Sequence, residues 1–167
     1  MATASNKRYG GFEIVRELMV SAGSQGRIYL ARCVEPTFDG IAVGDEVVLK
    51  SLTIRDDDLD YAGKIQRRTE TLSQIRHPNI VKYYGCFSQS GEFGNDYHLV
   101  VMEYLKGRTL QEHIEASSQG LDADLALNYV GEAISGLIYA AEKKIVHRDI
   151  KPANIFICDD GAVKLID

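Results

Sequence analysis

Two short apolar runs near the end of the chain, Ile155–Cys158 and Val163–Ile166, flank the polar stretch Asp159-Asp160-Gly161-Ala162. An Asp-Gly pair is a favoured two-residue hairpin turn, because its twist matches that of the strands it joins. A turn centred on Asp160-Gly161 and paired outward sets Asp159 opposite Ala162, Cys158 opposite Val163, and Asn154 opposite Asp167. Directly opposed residues of an antiparallel pair have Cα atoms roughly 4.5–5.5 Å apart. The hairpin therefore predicts an amide oxygen and a carboxylate side by side. Two hard oxygen donors at that distance suit a partly hydrated magnesium ion carrying substrate phosphates. Taken alone, the stretch reads equally as an ordinary hairpin with polar ends.

The first half of the chain is rich in strand signals. Phe12–Val20 and Arg27–Cys33 are β-type runs separated by Ser21-Ala22-Gly23-Ser24-Gln25-Gly26, a glycine-bearing loop. A polar stretch over 35–45 leads to a third strand, Glu46–Leu52. Asp56-Asp57-Asp58 suits a helix N-terminus, where the dipole favours negative charge. The helix is predicted to run to Ile75 and to stop at His77-Pro78, because proline disfavours helix in the residue before it. Ile80–Phe87 and His98–Tyr104 read as two more strands. Beyond Lys106-Gly107 the pattern turns helical. Thr109–Ala116 predicts a short helix, and Asp122 caps a longer one. Along it Leu127, Val130, Ile134, Leu137, Ile138 and Ala141 recur at helical spacing. Gly131 and Gly136 each weaken such a helix by up to ~1 kcal/mol relative to alanine.

Composition narrows the function classes. The chain has 167 residues, 45% hydrophobic and 26% charged, with a net charge of −5. That balance argues against a mainly electrostatic binder of nucleic acid or anionic membrane. No apolar run reaches membrane-spanning length. Cys33, Cys86 and Cys158 lie far apart, with no zinc spacing, and read as reduced thiols of a cytoplasmic protein. Residues 1–10 read as a flexible leader.

His147-Arg148-Asp149-Ile150-Lys151-Pro152-Ala153-Asn154 resembles the catalytic loop of protein kinases, H-R-D-x-K-x-x-N. The lysine two residues after the aspartate matches serine/threonine rather than tyrosine kinases. The resemblance implies an α+β fold: an antiparallel five-stranded sheet with one long helix over 11–106, then an incomplete helical lobe over 107–167. It also assigns roles. Asp149 would accept or orient the proton of the attacking hydroxyl, Lys151 would stabilise the transferring phosphoryl group, and Asn154 and Asp167 would bind magnesium. His147 would pack and hydrogen-bond. Ser21, Gly23 and Gly26 stand at the positions of the glycine-rich phosphate lid G-x-G-x-x-G, with serine replacing the first glycine. Val47-Val48-Leu49-Lys50 resembles V-A-I-K, and strand alternation sends Val48 and Lys50 to one face. Val100–Leu105 resembles the last strand and hinge. Met102 is then the gatekeeper, the backbones of Glu103 and Leu105 pair with adenine, and Ile28, Val48 and Phe156 enclose the ring.

The match has two departures. Aligned through His77-Pro78-Asn79-Ile80, the glutamate that kinases place on the long helix falls at Arg68. Ile65, Arg68, Leu72 and Ile75 share one expected face, and Glu70 lies roughly 200° around from Arg68. A helix turned so that Glu70 faces inward, a helix swung outward, and a degraded relative are the open explanations. The chain also stops at Asp167, where Asp-Phe-Gly would begin.

The resemblance implies ATP and Mg2+ as cofactors and a protein bearing serine or threonine as substrate. The 167-residue chain by itself is expected to be inactive. A pseudokinase that binds nucleotide or partners without turnover is the alternative. A small-molecule phosphotransferase is a more distant third.

Overall fold

The computed structural model describes residues 7–20, 26–53, 60–90 and 96–167. They gather into two compact units: residues 1–74 with 82–104, and residues 75–81 with 105–167. The segment 75–81 thus leaves the long helix to join the second unit, a transfer that a single cut at 106–107 does not contain.

The first unit is an antiparallel sheet of six strands. They are β1 (Arg8–Tyr9), β2 (Phe12–Val20), β3 (Arg27–Cys33), β4 (Glu46–Thr53), β5 (Tyr83–Ser90) and β6 (Asp96–Glu103), in the order β1-β2-β3-β4-β6-β5. The sixth strand, β1, lies inside the stretch read as a flexible leader. Gly10 turns the chain back with φ +54, and Tyr9 is buried against Tyr29 at 5.9 Å. Two residues are too short a run for alternation to announce a strand. The core lies on the face formed by Val47, Leu49, Leu99 and Val101, where fully buried Phe12 forms a three-ring cluster with Phe38 and Phe87. Phe38 and Ile41 come from the polar connection between β3 and β4 and pack into this core.

The helix α1 spans Tyr61–Ser73, two residues short of the expected Ile75. Asp56–Asp58 lie outside the described residues. Its buried positions are Ile65 and Thr69, and the Thr69 side chain lies beside the Cys86 thiol on β5. The strand expected over Ile80–Phe87 begins only at Tyr83, because Ile80 bridges Leu165 in the second unit.

The second unit contains β7 (Gly107–Thr109), α2 (Leu110–Ala116), α3 (Ala123–Glu142), β8 (Ile155–Cys158) and β9 (Val163–Leu165), with a sheet order β7-β8-β9. Thr109 opens α2 with a reciprocal cap. Its hydroxyl accepts from the Glu112 backbone N–H at 3.2 Å, and its own N–H donates to Glu112 Oε2 at 2.7 Å. Asp122 caps α3 by accepting from the N–H groups of Asp124 and Leu125. The buried positions of α3 are Ala133, Gly136 and Ala140, whereas Leu127, Val130, Ile134 and Ile138 are exposed. The core gathers Leu110, Ala133, Ile155, Ile157, Val163 and Leu165.

Candidate active site

In the second unit the chain leaves α3 through an irregular stretch that carries the charged residues. Arg148 holds φ +70, a left-handed conformation rare for a residue with a Cβ and typical of functional turns. A short 3-10 turn, Pro152–Asn154, then delivers Asn154 at the start of β8. Lys151 Nζ lies 2.7 Å from Asp149 Oδ2. Asn154 Nδ2 donates to the same Oδ2 and to the Asp149 backbone carbonyl, both at 2.9 Å. Asn154 is buried, while Asp149 and Lys151 are about half exposed. Hydrogen bonding from Lys151, aided by Asn154, holds the Asp149 carboxyl below its ordinary range. Three residues predicted to act together are therefore joined through one carboxylate oxygen, and the Asn154 Oδ1 is the acceptor its amide keeps.

The hairpin differs from the expected register by one residue. Ile155 pairs with Leu165, Phe156 with Lys164, and Ile157 with Val163. The loop closes as three residues: Cys158 N–H donates to the Ala162 carbonyl at 2.8 Å, and Gly161 N–H donates to the Cys158 carbonyl at 2.9 Å. Gly161, with φ +88, takes the left-handed third position of such a loop. Asn154 consequently faces Ile166, whose N–H donates to its carbonyl at 3.0 Å, and not Asp167. Asp167 follows directly, beyond the end of β9 and with φ +63. Strand alternation no longer dictates its face there.

Asn154 and Asp167 are hard oxygen donors. Among the described residues no group of three or more His, Cys, Asp or Glu gathers to hold a metal. This donor set fits magnesium, which keeps waters and phosphate oxygens in its shell, better than an ion caged by protein. Phe156 is half-buried on β8, on the face opposite Ile155 and Ile157, and Leu105 lies two residues before β7. Both ring nitrogens of His147 are buried without a hydrogen-bond partner among the described residues.

In the first unit alternation works as read. Val47 and Leu49 enter the core, and Val48 and Lys50 take the other face. The ladder sets Ile28 opposite Lys50 and Met102 opposite Val48, so these four share one face. Gly26 immediately precedes β3 with φ +72, and a Cβ there would collide with the Ser51 carbonyl. Ser21 and Gly23 lie outside the described residues. At the end of β6 Glu103 is clamped to Lys82: its N–H donates to the Lys82 carbonyl at 2.9 Å, and its Oε1 accepts the Lys82 N–H at 2.7 Å.

Of the residues expected on one face, Ile65 and Ile75 are buried and Leu72 is half-buried, whereas Arg68 is exposed and Thr69 takes a buried position beside it, completing the i, i+4, i+7 spacing of Ile65, Thr69 and Leu72. Glu70 is also exposed, accepting from Gln66 Nε2 at 2.9 Å. An inward-facing Glu70 is therefore not what α1 adopts. Sequence reasoning also gave Asn79 and Glu132 no role. Asn79 stood within a legible His-Pro turn, but nothing local marks Glu132.

Known proteins resemble this chain over nearly its whole length. The pattern of the family described as "Protein kinase domain" matches residues 22–167. Serine/threonine-protein kinase PrkC of Bacillus subtilis is 33% identical over 95% of the chain, which spans 22% of that protein. Aurora kinase A-A of Xenopus laevis is 31% identical over 93%, the chain spanning 35% of its length. MAP3K epsilon protein kinase 2 of Arabidopsis thaliana is 30% identical over 99%, with 11% spanned.

Proposed function

The chain belongs to the protein kinase domain family, and from that premise we propose that it serves ATP-dependent phosphoryl transfer to serine or threonine hydroxyls of proteins. The carrying observation is the Asp149–Lys151–Asn154 constellation, joined at 2.7–2.9 Å through one carboxylate oxygen. Such transfer needs alignment and charge neutralisation more than covalent chemistry. A carboxylate with a lowered pKa is a weak proton acceptor, so Asp149 orients the attacking hydroxyl by accepting its hydrogen bond. Lys151 brings a positive charge toward the group in transfer. Asn154 and Asp167 would hold Mg2+, which when bound neutralises and aligns phosphate oxygens.

The nucleotide reading rests on the first unit's shared face. Lys50 would reach the phosphates beside Ile28, Val48 and Met102, and Gly26 lets backbone approach closely. Adenine would meet Phe156 and the backbones of Glu103 and Leu105. The 167-residue chain alone is read as inactive, supported by the apolar face of α3 that it leaves open. A cytoplasmic site of action belongs to the same reading, supported by Cys33, Cys86 and Cys158 being reduced thiols.

One observation favours a second reading. Arg68 and Glu70 are both exposed, so neither places a buried charge on the inner face of α1, as a nucleotide-binding pseudokinase would tolerate. Asp149→Asn in the full-length protein separates the two. We expect kcat to fall about 10²–10⁴-fold with nucleotide binding retained. Unchanged turnover would sink the assignment of Asp149, and native protein that binds ATP without turnover would favour the pseudokinase.

A further inference from the structure

The strand that leads to Asp167 is only three residues long, and among the described residues its edge away from β8 has no strand partner. Every backbone group on that edge is nevertheless satisfied. Leu165 N–H donates to the Asn79 carbonyl, and Val81 N–H donates to the Leu165 carbonyl, both at 2.9 Å. The remaining two groups belong to Val163 and are met by side chains. Asn79 Nδ2 donates to the Val163 carbonyl at 2.9 Å, and Val163 N–H donates to Glu132 Oε2 at 3.3 Å. Asn79 Nδ2 also donates to that same Oε2 at 2.9 Å. One carboxylate oxygen on α3 therefore gathers two N–H donors, one from each segment it braces.

The approach is built into α3. Gly136 lies one turn beyond Glu132, and a Cβ there would stand 2.7 Å from the Asn79 carbonyl. Tyr139, the next residue along this face, stacks on His77 at 4.9 Å. A one-residue slip of so short a strand would turn its side chains to the opposite face and displace Asp167. The backbone bonds of Asn79 and Val81 hold Leu165, while Val163 depends on the two side chains.

We infer that Glu132 is a positioning residue for the phosphoryl-transfer site. With Asn79 it locks β9 in the register that pairs Ile166 with Asn154 and so sets Asp167 one residue beyond that pair. The inference rests on the proposed function, because it gives Asp167 its purpose, yet the brace can be read without nucleotide. A carboxylate suits the task because its charge strengthens both N–H bonds. Glutamine keeps one oxygen able to accept both, and alanine keeps none.

The test compares Glu132→Ala and Glu132→Gln in the full-length protein by two measurements. The first is amide hydrogen exchange at Val163. Alanine is expected to speed it about tenfold or more and glutamine to leave it within about threefold. The second is binding of ATP as Mg2+ is varied. Alanine is expected to raise the Mg2+ midpoint about tenfold, with metal-free ATP binding unchanged, and glutamine to restore the native midpoint. Unchanged exchange at Val163 in the alanine variant overturns the brace. An unchanged Mg2+ midpoint, or an equal loss of metal-free binding, overturns the positioning role. If alanine does not yield folded protein, Glu132→Asp, which withdraws the carboxylate by one methylene, is read the same way. Native protein that binds ATP without any Mg2+ dependence would overturn the proposed function, while faster exchange in the alanine variant would still establish the brace.

Discussion

At Asp149 the decisive neighbour is Lys151, whose ammonium donates to the carboxylate at 2.7 Å and lowers its pKa from the ordinary 3.8. A depressed pKa means that folding favours the charged form. The contribution is present above the ordinary value and is lost as pH falls through the lowered one. Lys151→Ala should move the Asp149 titration upward, read by the carboxyl carbon shift in an NMR titration. An unmoved midpoint would show that Lys151 does not set it. The side-chain types of this group were legible, because their spacing in the chain is short and the intervening turn is local. Arg68 is exposed for a different reason. Helical periodicity leaves Arg68 and Thr69 as neighbouring claimants to one face, and packing against Cys86 on β5 selects Thr69. A long guanidinium side chain loses little by turning to water.

Among the elements, α3 and the terminal hairpin show what local pattern leaves undecided. Gly131 and Gly136 look alike in sequence, yet a Cβ at Gly131 meets nothing within 4 Å among the described residues, whereas one at Gly136 meets Asn79 and Leu165. Gly131→Ala should stabilise the chain by about 0.5–1 kcal/mol through reduced backbone entropy. Gly136→Ala should destabilise it by about 1–3 kcal/mol through overpacking. Urea denaturation of both variants checks this, and equal shifts of the same sign would contradict the packing. The hairpin was legible as a hairpin, but its register was not. Asp-Asp-Gly serves a two-residue turn centred on Asp160-Gly161 or a three-residue loop with Gly161 left-handed, and glycine satisfies either. The three-residue loop is the one in which the outward groups of Val163 and Leu165 meet Asn79, Val81 and Glu132.

For the whole molecule, apolar pattern and core part company on α3. Leu127 is 71% and Ile138 57% exposed, while Leu165 is 2% exposed. Leu127→Gln and Ile138→Gln in this 167-residue chain should each change stability by under about 0.5 kcal/mol. Leu165→Ala should cost about 2–5 kcal/mol. Denaturation midpoints test the contrast, and a core-sized loss at Leu127 would show that face to be packed in solution. Sequence alone determined the strand and helix periods, the sharing of a face by Val48 and Lys50, the Asp122 cap of α3, and the Asp149–Asn154 constellation. Each of these depends on residues within a few turns or strand steps of one another. Tertiary structure decided the register that leads into Asp167, the face of α1, the strand at Arg8–Tyr9, and the burial of α3 by its small residues. These depend on which distant backbone groups must find partners, and Asn79 and Glu132 reach Val163 from 84 and 31 residues away. No local window contains that requirement.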